Sequence, residues 1–153
     1  MGLQSEKTAT EWLNKNVSAF KESPLKLSWN NQYESWDVYN NEIIGELKHR
    51  HMPYLRWAEQ GYILEKYKFD KLVKHSKSRE DGAKILYINT FDDEDSTLVW
   101  WNLSTLIEEK YDFNWHNKSM KKTTYFENNS QVDKLVCLLS DKIVHYKIKR
   151  KDA

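Results

Sequence analysis

Ser35-Trp36-Asp37-Val38-Tyr39-Asn40-Asn41-Glu42-Ile43-Ile44-Gly45-Glu46-Leu47-Lys48 is the stretch that decides how the whole sequence folds. Two adjacent asparagines tolerate left-handed backbone, so a tight turn is expected at Asn40-Asn41 between two strands. Tyr39 then faces Glu42, Val38 faces Ile43 and Asp37 faces Ile44. Side chains alternate across a strand and opposed residues share a face, which gathers Asp37, Tyr39, Glu42, Ile44, Glu46 and Lys48 on one side. Trp36, Val38, Ile43, Gly45 and Leu47 fall on the other, almost wholly apolar and therefore read as the core side. The polar side holds two carboxylates and a lysine within a diagonal step of roughly 7–8 Å. Asp37 and Glu46 are then close enough to converge on one hard cation.

Before the hairpin, Trp12, Leu13, Val17 and Phe20 recur at helical spacing over residues 9–21, behind a capping-box pattern at Thr8-Ala9-Thr10-Glu11, and Pro24 ends that helix. Strand-like runs are expected at 25–29, 34–39 and 42–50, and a second helix at 59–75. The β-rich runs 84–91 and 97–103 flank the acidic turn Asp92-Asp93-Glu94-Asp95 and read as a second hairpin. Residues 104–111 suit a short helix and 143–148 a strand. Helix, strands, helix, strands in that order implies an α/β (α+β) domain with a central mixed sheet flanked by helices.

A chain of 153 residues fits a single domain, residues 1–153, with a basic tail over about 147–153. Seven Trp and nine Tyr supply enough apolar mass for one core. The one cysteine, Cys137, cannot form an internal disulfide or a thiolate zinc site, which suits a reducing, cytoplasmic setting. A mean hydropathy of −0.86 and the lack of a long apolar run argue against a membrane span or secretion signal, and Glu6 spoils a myristoylation pattern at Met1-Gly2. Net charge is only +1, so any affinity for nucleic acid must come from placement, as in the basic runs 118–122 and 147–151.

The polar face suits phosphodiester hydrolysis. Carboxylate oxygens hold Mg²⁺, the metal polarises a phosphoryl oxygen, and a nearby ammonium stabilises developing charge or positions the attacking water. The competing reading is an exposed sheet face with an ion-pairing Glu and Lys. Asp37 followed by Glu46-Leu47-Lys48 resembles the PD-(D/E)XK nuclease superfamily, with Trp36 standing where the name-giving proline would be. Helix, hairpin and helix follow in the superfamily's order, and the likeness is strongest over residues 34–72.

The resemblance implies a restriction-endonuclease-like core and a Mg²⁺-dependent deoxyribonuclease, with Mn²⁺ able to substitute. Asp37 and Glu46 would ligate metal and Lys48 would act on the transition state. The second helix, resembling that of small phage-type members, would turn Lys68 toward the site. The alternative for Lys68 is an amphipathic helix whose lysine reaches solvent between Leu64 and Leu72. The resemblance also implies Glu11 as a further metal ligand, although its capping-box position already explains it. DNA is the expected partner, and a homodimer or larger homo-oligomer is needed for symmetric double-strand cuts. The rival class is a non-catalytic nucleic-acid-binding or assembly protein on the same scaffold. His49, His51, His75, His116 and His145 complete no zinc spacing, the acidic turn lacks the spacing of a calcium loop, and Trp100-Trp101 is expected to send one ring to each sheet face.

Overall fold

Asn40 decides how the first hairpin closes. Its Oδ1 accepts from the backbone N–H groups of Glu42 and Ile43, each at 2.8 Å, while its Nδ2 donates to the Ser23 carbonyl at 2.8 Å. Its own N–H donates to the Ile43 carbonyl at 3.0 Å, leaving Asn41 and Glu42 as the turn pair. Strand β1 (Lys26–Leu27) pairs antiparallel with β2 (Val38–Tyr39), and β2 with β3 (Ile43–Arg50). Val38 lies opposite Gly45 and Tyr39 opposite Ile44, which corrects the expected register. Moving Val38's partner from Ile43 to Gly45 is an even step, so the residues sharing each face stay the same.

The computed structural model describes residues 2–27, 38–50, 61–79, 82–91, 96–121, 131–140, 142–143 and 146–149. Asp37, His51, His145, the acidic turn 92–95 and the tail beyond Lys149 lie outside them. The large sheet adds β5 (Lys84–Phe91), β6 (Thr97–Asn102) and β9 (Tyr146–Lys149) in the order β1-β2-β3-β5-β6-β9. β3 and β5 are parallel, and the other pairs are antiparallel. A second sheet, missed in the sequence, orders β4 (Tyr62–Glu65), β8 (Gln131–Leu139) and β7 (His116–Lys121). The mixed α/β class is as expected.

The helix expected over 59–75 is corrected in its first part. Tyr62 and Leu64 are buried while Ile63 and Glu65 are half-buried, a period of two set by pairing with Leu139 and Cys137. Gly61 opens that strand at a φ of +90°, and a Cβ there would sit 3.0 Å from the Leu138 Cβ. Only from Lys66 does the chain turn helical, as α3 (Lys66–Ser78).

The N-terminal helix also differs. α1 (Gly2–Asn16) starts before the capping-box pattern, so Thr8 and Glu11 lie inside it, and an extended Val17 separates it from α2 (Ser18–Glu22) just ahead of Pro24. α4 (Leu103–Glu108) matches the short helix, and Ile143 precedes β9 rather than joining it.

Both faces of the large sheet are covered, as a parallel pair at its centre demands. Ala9, Leu13 and Phe20 of α1 and α2 pack on Val38, Leu47, Leu86, Ile88 and Trp100. On the other face Ile44, Tyr87 and Trp101 meet Tyr62, Leu64, Leu72 and Leu139. The face expected to be open is thus also a core face. Trp100 and Trp101 do divide between the two faces. No helix among the described residues is long and apolar enough to cross a membrane.

Asn40→Ala removes three side-chain hydrogen bonds, one buried and two part-buried, each worth roughly 1 kcal/mol net. Urea unfolding should show a loss of about 2–3 kcal/mol with an unchanged m-value. A loss below about 0.5 kcal/mol would mean that the backbone alone sets the turn.

Candidate active site

Alternation along β3 carries Glu46, Lys48 and Arg50 to one face, opposite Tyr87, Asn89 and Phe91 of β5 in parallel register. The β4–α3 junction closes over this row and leaves a cavity of about 170 Å³. Glu46, Lys48, Arg50, Glu65, Lys68 and Tyr87 all line it. Glu46 is 2% exposed, and its Oε1 lies 3.1 Å from the Lys48 Nζ, whose side chain is 39% exposed. An ionised carboxylate this deep requires a cationic neighbour, and Lys48 supplies one while keeping a route to water.

Arg50 fixes the far end. Its Nε donates to Asn89 Oδ1 at 2.8 Å, and its Nη2 donates to the Tyr87 hydroxyl at 2.8 Å and the Ile63 carbonyl at 3.4 Å. The Tyr87 hydroxyl donates in turn to the Ile63 carbonyl. Burial pushes the Tyr87 phenol above its ordinary value, against the opposing pull of Arg50 and Lys48, so it stays a neutral donor. Glu65 is anchored by Lys134, whose Nζ is 2.7 Å from its Oε1. Lys68 is half-buried and has no ion pair or hydrogen bond among the described residues.

The structure brings together Glu46, Lys48 and Lys68 of the expected set. It does not bring Glu11, which is exposed on a helix covering the opposite face of the sheet. Asp37 lies outside the described residues. His49 turns away from the site toward Thr90 Oγ1, 2.6 Å from its Nδ1. Burial raises the Cys137 thiol to about 12, which leaves it unreactive.

Arg50, Glu65 and Tyr87 were missed. Arg50 continues the Glu46-Lys48 alternation by one more step and could have been found. Glu65 and Tyr87 depend on a strand at 62–65 and on the β3–β5 pairing, neither of which leaves a local mark.

Among the described residues no group of three His, Cys, Asp or Glu could hold a metal ion. Glu46 and Glu65 nevertheless offer hard oxygen donors, and Mg²⁺ commonly takes one or two carboxylates with water and substrate phosphate completing its shell. The donor chemistry therefore fits. Comparisons with family models, curated proteins and solved structures give no match.

The raised Tyr87 phenol makes a pH prediction. A group whose folded pKa lies above its unfolded value of 10.0 contributes stability that is present below that pH and lost as the pH climbs through the folded value. Between about pH 8 and about pH 11, Tyr87→Phe should therefore lose less stability to urea than the wild-type chain. Equal losses would show that Tyr87 ionises as freely in the folded chain as in the unfolded one.

Proposed function

We propose that this chain is a metal-dependent endonuclease that hydrolyses DNA phosphodiester bonds, on a PD-(D/E)XK-like, restriction-endonuclease-like core. The observation that carries the reading is one cavity lined by Glu46 and Lys48 from β3 and by Lys68 from α3, with Lys68 lacking an ion pair among the described residues. A half-buried ammonium is stable beside an anion, and a substrate phosphate would be that anion.

Glu46, beside Glu65 in the cavity and with Asp37 as the further ligand that the resemblance implies, would hold Mg²⁺ or Mn²⁺, which when bound supplies Lewis-acid polarisation of the phosphoryl oxygen and a water of lowered pKa. Lys48 orients the attacking water or stabilises charge developing on the phosphoryl oxygens. Lys68, from the opposite wall, holds the scissile phosphate. Arg50 touches neither water nor phosphate in this scheme. It keeps β4 against β5 and so sets the reach of Lys68. Exposed lysines on β7 and β9, among them Lys118 and Lys147, would meet the DNA backbone as sequence-independent contacts. A homodimer would be required for symmetric double-strand cleavage.

Plasmid, single-stranded and branched DNA, incubated with Mg²⁺ and again with EDTA, test the reading directly. Cleavage should require the metal, and failure on all three substrates with Mg²⁺ and with Mn²⁺ would leave the non-catalytic nucleic-acid-binding alternative.

Lys48→Ala should lower turnover about 10²–10³-fold with little change in DNA affinity, because the lysine acts on the transition state. Equal loss of affinity would make Lys48 a phosphate anchor instead. Lys68→Met should also lower turnover, while folding stability holds or rises because an apolar chain replaces a half-buried charge. Turnover near wild type would remove Lys68 from the site.

A further inference from the structure

A second hollow lies beside the catalytic cavity. It measures about 590 Å³, against about 170 Å³ for the cavity, and Glu65 lines both. Its walls are the first two turns of α3, with Lys66, Tyr67 and Asp70, and the strands β7 and β8, with Asn117 and Asp133.

The two spaces differ in charge. The cavity sets Lys48, Arg50 and Lys68 against Glu46 and Glu65. In the groove Lys66 pairs with Asp70 at 2.8 Å and Lys134 with Glu65 at 2.7 Å, so the fixed charges cancel there and Asp133 remains. A phosphate belongs in the first and is disfavoured in the second. The groove instead offers an amide, carboxylate oxygens and an aromatic ring, the set that reads and stacks a nucleobase.

Tyr67 is that ring. It is 64% exposed, the most exposed large hydrophobic side chain among the described residues. The Lys71 Nζ lies over the ring, 4.5 Å from its centroid, and no aromatic ring among the described residues packs on it. Consecutive helical residues project about 100° apart, which is why Lys68 reaches the cavity while Tyr67 borders the groove. An ammonium on one face anchors the ring and leaves the other for stacking.

We infer that the groove seats an unpaired base of single-stranded DNA against Tyr67, next to the phosphate held by Lys68. The inference rests on the nuclease reading and names its substrate class. A base stacked within a duplex cannot enter a side groove next to its own backbone phosphate, so the strand must be single or locally opened.

The test uses an oligothymidylate carrying one 2-aminopurine, with Ca²⁺ replacing Mg²⁺ so that binding is read without turnover. The single strand should bind more tightly than the same sequence in a duplex, and its 2-aminopurine emission should be quenched on binding. Tyr67→Ala should weaken binding about 10–100-fold and abolish the quenching, and Tyr67→Phe should restore both. An exposed position makes misfolding of these variants no obstacle, which circular dichroism checks.

Wild-type binding and quenching in Tyr67→Ala, equal affinity for the duplex, or no binding by the wild-type chain would each overturn the inference. Cleavage of duplex DNA that is unchanged in Tyr67→Ala would overturn it while leaving the nuclease reading in place. Single-strand binding through Tyr67 with no cleavage in Mg²⁺ or Mn²⁺ would do the reverse.

Discussion

The Arg50 guanidinium holds three strands at one point, and the depth of the cavity depends on it. From β3 it reaches Asn89 and Tyr87 on β5 and the Ile63 carbonyl on β4. β4 belongs to a different sheet from β3 and β5, so side chains must set the spacing between the layers. The aromatic stack shares the task, with the Tyr62 ring 4.6 Å from Trp101 and 6.0 Å from Phe91 between centroids. A planar fork suits this role better than a lysine, because its donors point at fixed angles toward separate acceptors. Packing alone would permit sliding, whereas the fork fixes both distance and direction. With β4 fixed, the first turn of α3 is fixed, and so is the approach of Lys68 to Glu46.

Much of this was legible in the hairpin, because its faces depend only on parity. The register moved when Asn40 captured two backbone N–H groups, yet Glu46 and Lys48 kept their common side. The β5–β6 hairpin and the division of Trp100 from Trp101 were legible for the same reason: both follow from local alternation. The strand at 62–65 was not. Tyr62-Ile63-Leu64 runs into a sequence with helical spacing, and only its ladder to β8, far along the chain, makes it extended. A helical reading of that strand leaves Glu65 without a place and puts Lys68 on a stripe with Leu64 that does not exist. Glu11 failed for a different reason. A four-residue capping pattern looks the same at a helix start and inside a helix that began earlier, at Gly2.

The two faces of the large sheet answer different demands. Beneath α1 and α2 the packing is almost entirely aliphatic and aromatic, the cheapest way to stabilise a sheet. The other face places Glu46, Lys48 and Arg50 in a row through ground that Leu or Val could have filled. Ion pairs this deep rarely add stability over apolar residues of similar volume, because desolvation offsets the attraction. Stability therefore gives no reason to keep the Glu46–Lys48 pair there, whereas Arg50 is accounted for by the strands it ties together.

The proposed function would give one, since a site for a phosphodiester must present carboxylate and ammonium to the same small volume. The cavity's cations outnumber its carboxylates, so on charge grounds an anion is the better-matched occupant. A divalent cation entering beside Glu46 would raise that positive charge further and strengthen the match to phosphate. Metal and substrate would then favour each other's binding by linkage, without any movement of the fold.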